Sequence, residues 1–281
     1  KKKKILITGG SGLFGRSILR FLVPKKKYSI SLVYNNNKIK TKLSKSFKCD
    51  LTKKIEVKKL IKKINPEYII HFAAFVNPGK NELDKNKSYN ENFIITKNIV
   101  SASKNKQTTI IFTSTDKVFS GKTINPKEFS DLKPTSAYGK NKLKSEKEII
   151  RNIKKYFILR VPIVHSNGKN PKNLLIDKFL TEIKKNKKIQ VFSNLKRSFI
   201  NLEVIHSIII NLINQKSINY GVYNVGSKVS SYYQIVLRLL DINNIKKKKL
   251  VSRAKAKNIH PLIQGLNTNK FIKEFSIKKF L

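Results

Sequence analysis

The sequence is poor in cysteine, in long apolar runs and in acidic residues. Its single cysteine, Cys49, excludes an internal disulfide and any metal site built from several cysteines. No apolar run approaches the roughly 20 residues that a membrane-spanning helix needs. The glycines that follow Ile5-Leu6-Ile7 also interrupt the apolar segment that a signal peptide requires. These absences predict a cytoplasmic protein with no membrane span.

Acidic residues are so few that the chain carries a large positive charge. It has 61 lysines and arginines against 16 aspartates and glutamates, a formal net charge of +45. Such a charge ordinarily favours a polyanionic partner. The lysines are spread along the chain with many Asn and Ile, however, as an AT-rich coding sequence would favour. The two interpretations of the charge are thus compositional drift and a polyanionic partner. The sequence favours drift, which predicts that the protein has no specific nucleic-acid partner.

The opening stretch has the pattern of a dinucleotide-binding turn. A short β-branched run, Ile5-Leu6-Ile7, leads into Gly9, Gly12 and Gly15 and then into an amphipathic helix. Gly9 permits a sharp turn, Gly12 lets the backbone approach phosphates, and Gly15 lets the helix pack closely on the strand. A pyrophosphate binds at a helix N-terminus in this context. The alternative is an ordinary glycine-rich loop between strand and helix.

The end of the second predicted strand, Tyr28–Tyr34, bears on the choice of cofactor. In a dinucleotide-binding fold, an acidic residue at this end binds the adenosine ribose and selects NAD. Here the strand is followed by Asn35 and then by Lys38 and Lys40, with no acid between them. A 2′-phosphate would be favoured beside these lysines. The sequence therefore predicts NADP, with NAD as the alternative.

Two further segments are candidates to line the cofactor crevice. Asp50 precedes a helix predicted over 55–64, and is either the N-cap of that helix or an acceptor for the adenine amine. The next predicted strand ends in Ala73 and Ala74, whose small side chains leave room for a flat ligand. His71, inside that apolar strand, is expected to be a packed core residue.

The pair that points to catalysis is Tyr138 and Lys142. Ser114 and Thr115 end a predicted strand, where α/β active sites are built, and Tyr138 and Lys142 lie four apart on the next predicted helix. An ammonium beside a phenol favours the phenolate and lowers its pKa. A phenol tuned in this way can donate a proton to a carbonyl oxygen as hydride reaches the carbon. The alternative is a surface helix that carries a tyrosine and one of many lysines.

Taken in order, these motifs resemble the extended short-chain dehydrogenase/reductase family. The matching residues are Thr8-Gly9-x-x-Gly12-x-x-Gly15, Asp50-Leu51, His71-Phe72-Ala73-Ala74, Asn92, Ser114-Thr115-Asp116 and Tyr138-x-x-x-Lys142. The subgroup with the greatest similarity is dTDP-4-dehydrorhamnose reductase, through the segments 114–121, 197–200, 221–226 and 265–271. The segment 160–163 is instead similar to the beta regulatory subunit of methionine adenosyltransferase.

The resemblance implies a fold and a division into domains. The fold would be α/β, a Rossmann-type doubly wound parallel sheet with a smaller C-terminal substrate lobe. The NAD(P)-binding domain would comprise 1–165, with 199–225 returning to it. The substrate-binding lobe would comprise 166–198 and 226–281. Helices near 89–103 and 136–153 would form the interface of a homodimer.

The resemblance also implies roles for individual residues. Thr115 would bind the substrate oxygen, Tyr138 would be the acid, and Lys142 would hold the nicotinamide ribose. The implied cofactor contacts are Gly9, Gly12, Leu13, Phe14, Gly15, Asn35, Lys38, Asp50, Leu51, Ala73, Ala74, Asn92, Ser114 and Pro162. Arg197 and Arg253 are candidates for the substrate pyrophosphate, because a guanidinium binds phosphate bidentately. No metal site is expected.

The function that the resemblance implies is NADPH-dependent reduction of a nucleotide-linked 4-keto-6-deoxy sugar for surface polysaccharide synthesis. One alternative is an epimerase or dehydratase that retains its NAD, although Lys117 after Asp116 argues against the acid pair of a dehydratase. Another is a non-catalytic NADP-binding regulatory subunit. The last is binding of a polyanion through the positive charge, which would be sensitive to salt.

Overall fold

The computed structural model describes residues 2–37, 44–104, 106–170, 172, 174–215, 219–257 and 261–275. The chain divides into two compact units. The first comprises Lys1–Val118, Leu132–Arg160 and His206–Tyr223, and the second comprises Phe119–Asp131, Val161–Ile205 and Asn224–Leu281. The domain bounds predicted from the sequence differ from these limits and stay a prediction.

A seven-stranded sheet organises the described part of the first unit. Its strands are β1 (Lys3–Thr8), β2 (Tyr28–Tyr34), β3 (Lys45–Lys48), β4 (Tyr68–His71), β5 (Thr109–Thr115), β6 (Tyr156–Val161) and β11 (Gly221–Asn224). Their order is β11-β6-β5-β4-β1-β2-β3, and the pairs from β5 to β3 are parallel. The strand order reverses beside β1, the position at which doubly wound sheets bind ligands. The predicted Rossmann-type fold is confirmed.

The helices connect and cover these strands. They are α1 (Leu13–Leu22), α2 (Lys54–Ile64), α3 (Pro78–Leu83), α4 (Lys85–Tyr89), α5 (Ile95–Ser103), α6 (Ala137–Asn152), α7 (Leu175–Lys184), α8 (Leu202–Asn214), α9 (Tyr232–Ile242) and α10 (Asn269–Phe275). A π-helical turn, Asn90–Ile94, separates α4 from α5. Within the described ranges, no helix has the length and apolarity to cross a membrane.

One hydrophobic cluster of the first unit lies between the sheet and the helices α2, α5 and α6. Its strand residues include Leu6, Ile69 and Ile110, and its helix residues include Ile61 and Ile149. Strands β1 and β5 are buried along most of their length, as expected where helices cover both faces of a parallel sheet. This packing fixes the positions of the carboxyl ends of β1, β4 and β5, where the candidate active site lies.

The described part of the second unit contains short strands, the packed helices α7 and α9, and the short helix α10. Its strands are β7 (Ile163–His165), β8 (Ile189–Phe192), β9 (Lys196–Arg197), β10 (Phe199–Asn201), β12 (Ser230–Ser231), β13 (Val251–Ala254) and β14 (Ile263–Gln264). They pair as β10-β7, β12-β9-β14 and β13-β8. Helices α7 and α9 bury Leu180, Ile183, Val236 and Leu239 in the core of this unit.

Candidate active site

A cavity of about 830 Å³ opens at the carboxyl ends of β1, β2 and β4 in the first unit. Of the predicted cofactor contacts, its lining includes Gly9, Gly12, Asn35, Asp50, Leu51, Ala73 and Ala74. Four separate segments therefore converge where the sequence predicts the cofactor. Lys38, which was predicted to favour NADP, lies outside the described residues.

Close backbone packing explains why glycines occupy the turn after β1. Gly9 has a φ of +65°, and a Cβ there would lie 2.8 Å from the backbone nitrogen of Ala73. A Cβ on Gly15 would lie 2.4 Å from the carbonyl oxygen of Gly9. Gly12 is the N-cap residue of α1 and lines the cavity, so the first N–H groups of α1 start beside it. The positive end of this helix suits a phosphate.

Leu13 and Phe14 begin α1 beside this turn. The Phe14 ring packs on Phe72, with 5.4 Å between ring centroids, and Phe72 itself lines the cavity. Phe14 therefore supports the cavity wall from behind.

Asp50 occupies a turn ahead of α2. Its Oδ1 accepts hydrogen bonds from the backbone nitrogen of Thr52, at 3.0 Å, and from the Thr52 hydroxyl, at 2.7 Å. The N-cap residue of α2 is Lys53. The N-cap interpretation of Asp50 is therefore wrong, and its half-buried carboxylate lines the cavity.

Asn92 was predicted to contact the cofactor, but its side-chain amide forms hydrogen bonds within the protein. Its Oδ1 accepts from the backbone nitrogen of Phe75 at 2.9 Å, and its Nδ2 donates to Asn81 Oδ1 at 2.9 Å. Its carbonyl accepts from the Ser145 hydroxyl at 2.8 Å. Because these bonds use both ends of the buried amide, they give no support to a direct cofactor contact.

The predicted catalytic residues come together at the end of β5. Thr115 is the last residue of β5, and its hydroxyl donates to Oδ1 of Asp116 at 3.2 Å. Tyr138 lies in the first turn of α6, and Lys142 follows one turn later. Thr115, Asp116 and Lys142 are buried, whereas Tyr138 is half-buried. Asp116 was not among the predicted site residues, although it directly follows the Ser114-Thr115 pair.

The start of α6 is fixed by a cap and by close packing. The Ser136 hydroxyl accepts a hydrogen bond from the backbone nitrogen of Gly139 at 3.1 Å. A Cβ on Gly139 would lie 2.2 Å from the carbonyl oxygen of Lys117. The backbone beside Tyr138 thus lies directly against the loop that follows Thr115.

Lys142 is a buried cation with two close neighbours. Its Nζ donates to the carbonyl oxygen of Thr113 at 2.6 Å and lies 3.8 Å from the ring centroid of Phe112. Burial lowers the pKa of Lys142 to about 7, and the negative charge of Glu146 opposes that shift. The ammonium is therefore close to its titration point at neutral pH.

The pKa of Tyr138 is shifted in the direction opposite to the prediction. Burial raises it, and the Asp116 carboxylate raises it further. The predicted lowering by Lys142 is thus wrong for the protein alone. The spacing of four residues sets Tyr138 and Lys142 on one helix face, but the sequence could not show that Asp116 faces the phenol.

Ser114 belongs to a buried polar cluster behind the site. Its hydroxyl donates to Oε1 of Glu146. The Arg160 guanidinium donates from Nη2 to Glu146 Oε2 at 2.7 Å and from Nε to Oε1 at 3.1 Å. The predicted contact of Ser114 with the cofactor is not supported, because its hydroxyl is directed to Glu146. Glu146 was not among the predicted site residues, although it stands four residues after Lys142.

His71 has the structural role that the sequence predicts. It is fully buried, with Nδ1 2.7 Å from the Thr8 hydroxyl and Nε2 3.0 Å from the Thr96 hydroxyl. Burial, with a smaller contribution from Lys142, lowers its pKa to about 3, so the imidazole is neutral.

The remaining predicted contacts lie in the second unit. Arg197 is buried, and its guanidinium donates to the carbonyls of Lys196, Pro261 and Leu262 at 2.7 to 3.0 Å. These bonds hold β9 beside the chain before β14 and do not support a phosphate site at Arg197. Arg253 is exposed, with its guanidinium carbon 5.0 Å from the ring centroid of Tyr233.

Pro162 follows β6 and packs on Gly226 within the second unit. A Cβ on Gly226 would lie 2.9 Å from Cγ of Pro162. Among the described residues, no three or more His, Cys, Asp or Glu side chains are grouped to hold a metal ion.

Among the known proteins that are similar to this chain, two differ in the function that their names give. The dTDP-4-dehydrorhamnose reductase of Aggregatibacter actinomycetemcomitans is 26% identical over 274 residues, which cover 94% of this chain and 85% of that protein. Methionine adenosyltransferase 2 subunit beta of Xenopus laevis is 28% identical over 166 residues, 59% of this chain. The match covers 48% of that subunit, so the chain spans about half its length.

A solved structure and a family profile cover nearly the whole chain. The crystal structure of dTDP-4-dehydrorhamnose reductase from Bacillus anthracis in complex with NADP has a TM-score of 0.83 at 22% identity. The match covers 100% of this chain and 95% of the Bacillus anthracis chain, so the two chains have the same fold. The profile of the RmlD substrate binding domain matches residues 3–271. The chain therefore belongs to the RmlD substrate binding domain family.

Proposed function

We propose that the protein is an NAD(P)-dependent oxidoreductase that reduces a keto group on a nucleotide-linked sugar, with NADPH as the favoured reductant. The observation that carries the proposal is the cluster of Thr115, Tyr138 and Lys142 at the end of β5, in the same unit as the glycine-lined cavity. A hydroxyl, a phenol and a buried ammonium are the donors that a carbonyl reduction needs.

The residues of the cavity fit a dinucleotide. Gly9, Gly12 and the N-terminus of α1 would hold the pyrophosphate, because the cavity opens at these residues. Asp50 would accept a hydrogen bond from the adenine amine. The end of β2 contributes Tyr34 and Asn35 and no acid, which favours a 2′-phosphate over a free ribose hydroxyl. The NADP complex of the Bacillus anthracis reductase supports the same choice.

When bound, the nicotinamide supplies the hydride, and the protein supplies the proton. The raised pKa of Tyr138 keeps the phenol protonated at neutral pH, which is the state that an acid requires. Thr115 would orient the keto oxygen with its hydroxyl, leaving Asp116 as an acceptor beside it. The Lys142 ammonium would donate to the ribose hydroxyls, which replace the Thr113 carbonyl as its partners.

The substrate that best fits the relatives is a 4-keto-6-deoxy sugar on a nucleotide, as the name of the Aggregatibacter reductase indicates. Such a reaction would serve surface polysaccharide synthesis in the cytoplasm. Arg253 remains the candidate for the pyrophosphate, since its guanidinium is exposed beside Tyr233. The homodimer predicted through the helices near 89–103 and 136–153 belongs to this proposal.

A second candidate function is an NADP-binding regulatory subunit without turnover. The observation that favours it is the similarity of more than half of the chain to methionine adenosyltransferase 2 subunit beta. An NAD-retaining epimerase would use the same fold. All three functions require a bound dinucleotide, so turnover must separate them.

The deciding measurement is NADPH oxidation at 340 nm with dTDP-4-keto-6-deoxy sugars, compared with NADH. Tyr138→Phe should lower kcat by about 100-fold or more, because it removes the proton donor. Cofactor binding by this variant should be unchanged. The matched control is Tyr89→Phe, which changes an exposed tyrosine and should leave the rate unaltered. Tight NADPH binding without oxidation by the wild type would contradict the reductase for these sugars and leave the epimerase and the regulatory subunit as the alternatives.

A further inference from the structure

The Glu146–Arg160 ion pair is buried almost completely. The exposed fractions of the two side chains are 0% and 2%. Moving two charges out of water is costly, and a well-packed hydrophobic pair is often at least as stable. The stability of the fold therefore gives no sufficient reason for a charged pair at this position, and its surroundings have to be considered.

The pair joins the three elements that carry or adjoin the catalytic cluster. Glu146 lies on α6, Arg160 lies on β6, and Ser114 on β5 donates its hydroxyl to Glu146. Ser114 directly precedes Thr115, and Glu146 stands one turn after Lys142. A displacement of Glu146 would thus move α6 relative to the residue that orients the substrate.

Glu146 also acts on the charge of Lys142. The groups that face Lys142 come from several elements. On β4 there is His71, which is neutral, and on β5 there are the Phe112 ring and the Thr113 carbonyl. The charged and titratable groups of the neighbouring segments are Asp116, Tyr138, Glu146 and Arg160. Of these, Glu146 is the one whose charge opposes the loss of the Lys142 proton.

We propose that Glu146 is a positioning residue of the active site. It anchors α6 to β5 and β6 through Ser114 and Arg160, and its carboxylate, one turn after Lys142, stabilises the positive charge of the Lys142 ammonium. The proposal rests on the proposed function, in which that ammonium holds the cofactor ribose. Ser114 and Arg160 orient the Glu146 carboxylate, and Glu146 acts on the cofactor only through Lys142.

The test is the pH dependence of the dissociation constant for NADPH, followed by nicotinamide fluorescence between pH 5.5 and 9. Because Lys142 has a pKa of about 7, binding by the wild type should weaken as the pH rises through that value. In Glu146→Gln the opposing charge is gone, so the pKa of Lys142 falls. The weakening should then begin about one pH unit lower. At pH 8 the variant should bind up to about tenfold more weakly than the wild type.

Two controls separate this effect from a general loss of structure. Glu148→Gln makes the same chemical change at a half-buried position of α6 and should leave the pH profile of NADPH binding unchanged. Lys142→Met removes the titrating amine and should abolish the pH step. If Glu146→Gln does not fold because the Arg160 guanidinium loses its carboxylate partner, Glu146→Gln with Arg160→Gln removes both charges, and the step should again move to lower pH.

Each outcome decides the matter. If folded Glu146→Gln, or the double variant, shows the pH step at the same pH as the wild type, the inference is overturned. The proposed function is then left intact. A wild type that does not bind NADPH overturns the proposed function, and the inference falls with it. A step that moves in Glu146→Gln and stays in Glu148→Gln supports the positioning role.

Discussion

At the scale of single residues, spacing along a helix shows which side chains share a helix face. It does not show which groups from other elements shift their pKa values. Tyr138 and Lys142 share a face of α6, yet the Lys142 ammonium donates to the Thr113 carbonyl and Asp116 raises the pKa of Tyr138. Both neighbours come from β5 and the turn after it, more than twenty residues before the helix. A lysine placed four residues from a tyrosine is therefore insufficient to make a phenolate.

Gly139 is the residue whose size is most restricted beside the catalytic cluster. We expect Gly139→Ala to lower the free energy of unfolding by about 1–3 kcal/mol, because the new Cβ would meet the Lys117 carbonyl oxygen and the helix would have to move. The displaced Tyr138 should also lose activity. Urea denaturation and the NADPH oxidation rate measure the two effects.

The matched control is Gly79→Ala on α3. The nearest atom to a Cβ at Gly79 is Asn77 Oδ1, at 3.8 Å, so the substitution should be neutral or stabilise by up to about 1 kcal/mol. Equal effects of the two substitutions on stability would contradict the close packing at Gly139.

At the scale of elements, the predicted helix over 89–103 is interrupted by the π-helical turn Asn90–Ile94. The reason is the set of partners that Asn92 finds outside its own helix. Its side chain bonds to the Phe75 backbone, and its carbonyl accepts from Ser145 on α6. Such turns are frequent at functional sites, and here the turn adjoins the segment that follows β4. Helical periodicity alone could not reveal a partner more than fifty residues away.

Helix α9 of the second unit depends on a capping box. The Ser231 hydroxyl accepts from the backbone nitrogen of Gln234 at 3.0 Å, and Gln234 Oε1 accepts from the backbone nitrogen of Ser231 at 2.9 Å. We expect Ser231→Ala to lower the free energy of unfolding by about 1 kcal/mol, because a helix N–H loses its acceptor. Ser231→Asp should restore most of that loss. If alanine and aspartate are equivalent in urea denaturation, the cap does not stabilise α9.

At the scale of the whole molecule, the net charge of +45 sets the electrostatics. Acidic residues in the described part of the chain form exposed ion pairs with lysine, such as Lys187–Glu182 at 2.6 Å and Lys169–Glu203 at 2.7 Å. Exposed pairs contribute about 0–1 kcal/mol each, so they do not offset the repulsion among the many lysines. The charge therefore opposes the compact state.

Added salt should consequently stabilise the protein. Raising NaCl from about 20 mM to 300 mM reduces the Debye length to well below 10 Å and screens the repulsion. We expect the Tm, followed by circular dichroism, to rise by about several degrees, with choline chloride giving the same rise as NaCl. A Tm that stays constant or falls with both salts would show that lysine repulsion does not limit stability.

The sequence by itself determined the fold and the location of the cavity beside the glycine turn. Alternating strands and helices predicted the Rossmann-type sheet, and the glycines at 9, 12 and 15 marked the turn after β1, because both signals are local in the chain. The sequence also predicted that Thr115 groups with Tyr138 and Lys142, because Thr115 ends a strand and the other two lie one helical turn apart. His71 was correctly assigned to the core.

Only the tertiary structure decided what the polar side chains do. It gave Asn92 and Arg197 backbone partners, turned Ser114 toward Glu146, and placed Asp116 so that the pKa of Tyr138 rises. The physical reason is that pKa values and hydrogen-bond partners depend on burial and on groups distant in sequence. Neither quantity can be derived from residue type and spacing.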